Sequence, residues 1–131
     1  MYEKLTVFLP KLEDKPAEES FAPYGTQISV SSMYYDQIVG MFDDAIMQFV
    51  SDHEEMGLRQ YYDIMESAGI MPNRDPMRHK GISSLDGRTT VALIVWAMRA
   101  DRFSPGSLMQ FCKDGSIVRC LRRLKQIDSE R

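Results

Sequence analysis

Two arginines three residues apart, Arg99 and Arg102, are the side chains whose spacing most directly suggests anion chemistry. They lie in R-A-D-R-F-S-P-G (99–106), which follows the apolar run V-A-L-I-V-W-A-M. Residues three apart on a helix are neighbours on its surface, so two like charges repel there unless something negative lies opposite. We interpret the pair first as internally paired with carboxylates, and second as the contact site of a bound anion or a partner. The candidate carboxylates are Asp43, Asp44 and Asp52.

A second candidate site is the basic stretch F-C-K-D-G-S-I-V-R-C-L-R-R-L-K (111–125). It predicts two short helices, the second of which exposes Arg119, Arg122 and Arg123. Helix-turn-helix proteins place such a second helix in the major groove, and its Lys and Arg side chains bind phosphates. Here the turn is shorter than usual, and Phe111 occupies the position where a small residue lets the helices cross closely. Nucleic-acid binding is therefore the alternative to a solvated or internally paired basic face.

The sequence offers little support for metal or hydrolytic chemistry. His53 lies among carboxylates, but there is no H-E-x-x-H motif, and His79 stands apart in a proline-rich segment. Cys112 and Cys120 lie eight residues apart and fall on predicted inner helix faces, which argues against reactive thiolates. No glycine-rich phosphate loop follows a strand. We predict no metal, no cofactor and no catalytic residue.

The composition is that of an ordinary globular protein. The chain has 131 residues, of which 44% are hydrophobic and 27% charged, and this length suits one domain spanning 1–131. The longest apolar run, 91–98, is far shorter than the roughly 18 residues that cross a bilayer. No small-residue cleavage site follows the amino-terminal L-T-V-F-L-P. We therefore expect a cytoplasmic protein with free thiols and no membrane contact.

Charge is divided unevenly along the chain, although the net charge is only −3. Residues 1–66 contain thirteen acidic and four basic residues, whereas 99–131 contain eight basic and four acidic ones. Such a split is typical of a nucleic-acid-binding surface, and it is equally typical of two halves that pack against each other.

Hydrophobic periodicity predicts an all-α bundle of five or six helices. A helix near 86–102 is apolar on nearly every side and belongs at the centre. Around it we expect a short or kinked helix within 2–13, an amphipathic helix from Tyr35 with an acidic outer face, and a final helix from Ser116 to about Asp128. A further helix follows Gly57. Its predicted buried face comprises Leu58, Tyr61, Tyr62, Met65 and Ala68.

Proline, glycine and small polar residues predict where these helices begin and end. Segments 13–32 and 70–83 are expected to be irregular connections, with a short extended piece around Ile28 and Val30. Ser84 or Asp86 caps the central helix. In the corner that follows it, Ser104 is the expected N-cap, Pro105 the first helical residue and Phe103 a hydrophobic staple on Leu108.

The stretches R-A-D-R-F-S-P-G-S-L and K-D-G-S-I-V-R-C-L-R-R-L-K together resemble a family of small bacterial proteins catalogued as a domain of unknown function. The resemblance covers residues 85–128 and rests on an Arg-Phe-x-x-Gly corner, an Asp-Gly turn and a basic last helix. In the first half it extends to Y-Y-D-I-M-E-S-A-G-I (61–70). It implies an α-helical cytoplasmic protein and brings no activity, cofactor or catalytic residue.

Three function classes remain, and the sequence ranks them. The first is a small non-enzymatic binding or accessory protein that acts through protein–protein contacts, with a partner protein or a second copy of the chain. The second is a nucleic-acid-binding module that uses the basic face of the last helix. An enzyme is third, because no constellation of polar residues points to one.

Overall fold

The computed structural model describes residues 1–13, 30–70 and 81–130, and it describes side-chain environments in these ranges except at 30–36 and 83. The chain is a single all-α domain, and the described ranges contain no strand. If the interrupted segment 3–13 is counted as one helix, they contain six α-helices, which confirms the predicted fold class. The helices are α1 (Glu3–Thr6), α2 (Leu9–Glu13), α3 (Val30–Asp52), α4 (Tyr61–Ser67), α5 (Gly87–Phe103), α6 (Ser107–Lys113) and α7 (Ser116–Ser129).

Helix α5 is the centre of the domain, as its apolar character predicts. Its residues 89–95, 97 and 98 are all buried, and it packs against α3, α4, α6 and α7. Asp86 is the N-cap, and its side chain accepts a hydrogen bond from the Thr89 N–H at 2.7 Å. Thr90 is completely buried in this apolar setting because its hydroxyl donates to the Asp86 carbonyl, also at 2.7 Å.

The amino-terminal segment packs on α3 and α7, and aromatic rings form part of its contact with α3. The Tyr2 ring stacks on Phe49 with centroids 5.8 Å apart, and Phe49 stacks on His53 at 4.0 Å. The Asp128 carboxylate of α7 accepts a hydrogen bond from the Tyr2 N–H at 2.8 Å. The Tyr2 hydroxyl also occupies the space that a Cβ at Gly87 would need, so Tyr2 ties the start of the chain to the start of α5.

Two short 3₁₀ turns, Glu54–Met56 and Leu58–Gln60, connect α3 to α4, and Ile82–Ser84 precedes α5. Gly57 lies between the first two turns in the left-handed region, with φ of 65°. The Arg88 side chain of α5 donates to the Met56 carbonyl at 2.7 Å and holds this connection against the central helix.

Three predicted details of the fold are wrong. Val30 begins α3, so the helix starts before Tyr35 and residue 30 is not extended. Tyr62 is 51% exposed and Ala68 is also exposed, because α4 begins only at Tyr61 and buries Ile64 with Met65. Ile28 and residues 71–80 lie outside the described residues.

None of the helices in the described ranges has the length and apolar character that crossing a membrane requires.

Candidate functional site

The carboxyl-terminal end of α5 carries both arginines and an aromatic ring on one side. Arg99, Arg102 and Phe103 stand at i, i+3 and i+4, so they are neighbours on the helix surface. Arg99 is half-buried and Arg102 is exposed. Phe103 is 90% exposed, the highest exposure of any large hydrophobic residue in the described part of the chain. Its ring adds little to the core, and burying it against another molecule would contribute roughly 1.5–3 kcal/mol.

The corner after α5 differs from the expected arrangement of Phe103, Ser104 and Pro105. Helix α6 begins at Ser107, its N-cap is Gly106 with φ of 95°, and the exposed Phe103 ring does not act as a staple on Leu108. The Asp101 carboxylate performs the capping instead. It accepts hydrogen bonds from the N–H groups of Gly106 at 3.0 Å and Leu108 at 3.2 Å. The reason is geometric, since residues 104–106 are needed to reverse the chain before α6 starts.

Two tyrosines of α4 lie beside this end of α5. The rings of Tyr61 and Tyr62 have centroids 4.7 Å apart, and Tyr62 is half exposed. Burial raises the pKa of Tyr61. The neighbouring Tyr62 raises this pKa further, whereas the guanidinium groups of Arg99 and Arg102 lower it. Both cations therefore lie close enough to the phenol to act on it. We call Tyr61, Tyr62, Arg99, Arg102 and Phe103 the Arg–aromatic surface.

Helix α3 brings an acidic group to the edge of this surface. Burial raises the pKa of Asp43. The neighbouring carboxylates of Asp44 and Asp101 raise this pKa further, and Arg102 lowers it. The attraction between Arg102 and Asp43 acts without a direct bond. Among the described residues, neither Arg99 nor Arg102 forms a hydrogen bond or an ion pair with any side chain, so the expected pairing with Asp43, Asp44 or Asp52 is not formed.

The basic residues of α7 are placed differently. Arg123 donates to the Leu85 carbonyl at 2.6 Å and to Gln126 at 3.2 Å, so it fastens the turn before α5. Arg122 pairs with Glu13 at 3.4 Å, and both side chains are largely in water. Arg119 is exposed. Helices α6 and α7 meet at the predicted Asp-Gly turn, where Asp114 accepts a hydrogen bond from the Ser116 N–H at 2.9 Å and Gly115 has φ of 88°.

In the described part of the interior, the two thiols are protonated and the buried polar groups are hydrogen-bonded. Burial raises the pKa of the Cys112 and Cys120 thiols to about 12, so both are protonated at neutral pH. In the described ranges, every buried side-chain nitrogen or oxygen has a hydrogen-bond partner. No three His, Cys, Asp or Glu side chains of those ranges converge as metal ligands would. His53 packs on Phe49, and His79 lies outside the described residues.

The sequence identified Arg99 and Arg102 but missed the aromatic part of their surroundings. The sequence predicts both tyrosines on a buried face, but only Tyr61 is partly buried against the core, whereas Tyr62 is half exposed. Phe103 is predicted to be a staple and is exposed instead. A signal was available for the tyrosines, since Ile64 and Met65 supply α4 with an apolar face without Tyr62. Nothing local identifies Phe103 as exposed, because the capping role of Asp101 depends on how the corner folds.

Fold and surface together define a small all-α domain whose arginine and aromatic groups face solvent at the end of its central helix. The chain belongs to a family of unknown function (DUF6508), whose model matches residues 2–130. This match confirms the resemblance to an uncharacterised domain family, to which no function is assigned. The chain matches no curated protein and no solved structure.

Proposed function

We propose that this chain is a protein-binding module whose Arg–aromatic surface docks an acidic segment of a partner protein. The observation that carries the proposal is the 90% exposure of Phe103 next to two arginines that have no ion pair among the described residues. An aromatic ring this exposed packs little against the described part of the chain, so its position is not explained by a role in the core. A partner that covers the ring would explain its position.

The composition of the surface supports a protein partner. Tyr, Phe and Arg are enriched in the centres of protein interfaces, and Tyr and Arg are frequent among the residues that dominate binding energy. Tyr61 and Tyr62 provide a rigid paired aromatic platform. Apolar contact with Phe103 would supply most of the affinity, and the arginines would select and orient the partner.

Charge supports an acidic partner segment. Arg99 and Arg102 are fixed close together on one helix, and each has donors available for a carboxylate. Arginine binds carboxylates through two parallel hydrogen bonds, which are stronger than bonds between neutral groups. The nearby Asp101 is already engaged with the backbone of α6, so it competes little for the guanidinium groups.

We infer a reducing, cytoplasmic location from the two cysteines. Cys112 and Cys120 are free and buried. Proteins that keep two unpaired thiols in the core are typical of compartments in which disulfides do not persist.

The experiment measures binding of the full chain to two probes, a glutamate–tyrosine copolymer and a generic duplex DNA, at several salt concentrations. The proposal expects salt-sensitive binding of the copolymer. It expects Arg99→Glu with Arg102→Glu to abolish that binding. The matched control is Arg122→Glu with Lys125→Glu, which changes the net charge equally at two exposed positions of α7.

Two outcomes contradict the proposal. The first is copolymer binding that both double variants weaken equally, since that would reflect net charge alone. The second is salt-sensitive binding of the duplex that the α7 variant abolishes and the α5 variant leaves intact, which would assign function to the basic face of α7 instead.

A further inference from the structure

A small hollow opens between the end of α3 and the middle of α5. Its floor is apolar, and its volume is about 130 Å³. We call the apolar lining residues Val50, Val95 and Met98 the floor, and the lining residues Met47, Arg59 and Arg99 the mouth. Val95 and Met98 are buried core residues of the central helix, so the floor is part of the rigid scaffold.

Among the described residues that line this hollow, the charged side chains are two arginines. Arg59 and Arg99 both line it, and no acidic side chain is among the described residues that do. Neither arginine side chain forms a hydrogen bond or an ion pair within the described part of the chain. No acidic side chain among the described lining residues offsets the two guanidinium groups, so an anion placed between them would be attracted by both.

The floor suits one branched apolar group. An apolar cavity of about 150 Å³ in an engineered protein takes up benzene and stays free of water, so a hollow of this size accommodates a single side chain. Removing a branched aliphatic group from water into such a floor is favourable in proportion to its apolar area. The lining residues therefore offer an apolar contact and two cationic groups within one hollow.

We propose that this hollow binds an aliphatic carboxylate, with a branched apolar group on Val50, Val95 and Met98 and the carboxylate between Arg59 and Arg99. Two sources carry this chemistry: a free branched carboxylic acid and the carboxyl-terminal leucine of a peptide. Binding at this site is a further activity, in addition to the proposed protein-binding function. It shares Arg99 with the Arg–aromatic surface but depends on Arg59 and the apolar floor, which that surface does not use.

The test is a titration of the isotopically labelled full chain, followed by amide NMR, with isocaproate and with N-acetyl-leucine. The matched controls are isocaproamide and N-acetyl-leucinamide, which keep the branched group and lack the charge. Saturable shifts of the Val95 and Met98 amides are expected with the acids. The amides are expected to bind at least about tenfold more weakly, as loss of a charge-assisted pair implies.

Three variants separate the parts of the site. We expect Arg59→Gln and Arg99→Gln each to weaken binding of the two acids about tenfold. Ser51→Leu places an apolar side chain in the hollow, since Ser51 lines it and is exposed, and is expected to abolish binding. Ser51→Ala is the control and leaves binding unchanged. Circular dichroism of each variant reports whether the helices remain intact.

The relative affinities for isocaproate and N-acetyl-leucine distinguish the two sources, and either result supports the proposed site. Equal affinities for the two acids indicate a free acid, whereas tighter binding of N-acetyl-leucine indicates a peptide terminus. The site is refuted if no acid binds, if acids and amides bind equally, or if both arginine variants bind as the parent chain does. Arg102→Glu separates this inference from the proposed function, because it should weaken binding of the copolymer and spare isocaproate.

Discussion

Asp101 shows how one carboxylate determines the corner beside the candidate site. Replacing Asp101 with Ala removes the acceptor for the Gly106 and Leu108 N–H groups. We expect this change to lower the free energy of unfolding by about 1 kcal/mol, as for other lost helix caps. Urea denaturation measures it.

Ser104→Ala is the matched control for this prediction, because Ser104 is the cap that sequence rules favour. Its side chain is exposed, and α6 begins three residues later. We expect a change within about 0.5 kcal/mol. A larger loss in Ser104→Ala than in Asp101→Ala would contradict the capping assigned to Asp101.

Asp43 reports on the position of Arg102. Burial and two neighbouring carboxylates raise its pKa, and Arg102 opposes them. Because the folded-state pKa is raised, the contribution of Asp43 to stability is complete below the unfolded pKa and is lost as the pH rises through the folded pKa. Arg102→Gln should raise the pKa of Asp43 further and move that loss to higher pH.

An NMR titration of the Asp43 carboxyl carbon measures this shift. Arg122→Gln is the control, since Arg122 lies beside Glu13 and should leave the Asp43 titration unchanged. An unchanged pKa in Arg102→Gln would mean that Arg102 does not face Asp43.

At the scale of elements, the junction between the amino-terminal segment and α5 depends on a glycine. A Cβ at position 87 would collide with the buried Tyr2 ring. We expect Gly87→Ala to destabilise the domain by about 1–3 kcal/mol, the usual cost of forcing extra volume into a packed site. Thermal and urea unfolding followed by circular dichroism measure the change.

Gly40→Ala is the control, and we expect it to change the stability of the domain in the opposite direction. Gly40 lies within α3, is exposed, and has nothing within 4 Å of the position of an added Cβ. Alanine is the better helix former by about 1 kcal/mol, so this variant should be more stable than the parent chain. Equal effects of the two substitutions would contradict the packing of Tyr2 on Gly87.

Periodicity predicted the long elements because burial alone decides them. Helix α5 is apolar on nearly every side, and α7 has one continuous apolar face, so the sequence determines both. The start of α6 was predicted wrongly, and the buried face of α4 was wrong at Tyr62 and Ala68, because contacts between different elements determine both. Asp101 reaches across a corner, and Arg88 holds the connection that precedes α4.

At the scale of the whole molecule, the uneven charge of the two halves does not by itself explain their association. Arg122 and Glu13 form an ion pair between the halves, but both side chains are largely in water, and such pairs stabilise by about 0–1 kcal/mol. A shared apolar core joins the halves instead, with Phe42 and Ile46 of the first half as fully buried as Leu121 and Leu124 of the last helix.

The sequence predicted only half of the candidate site, because the other half depends on contacts between helices. Arg99 and Arg102 are visible in the sequence as two charges on one helical turn. Their surroundings are a tertiary property, since the tyrosines of α4 come close to Arg99 and Arg102 only when α4 packs on α5. The hollow below Arg99 likewise requires α3 and α5 to lie side by side.

The measurement that tests the central claim most directly is the effect of Phe103→Ala on stability and on copolymer binding. Val7→Ala is the control, because Val7 is 59% exposed and lies outside the Arg–aromatic surface. We predict that Phe103→Ala changes the free energy of unfolding by less than about 0.5 kcal/mol and weakens binding about tenfold or more. Full binding by Phe103→Ala, or a loss of binding matched by Val7→Ala, would contradict the account.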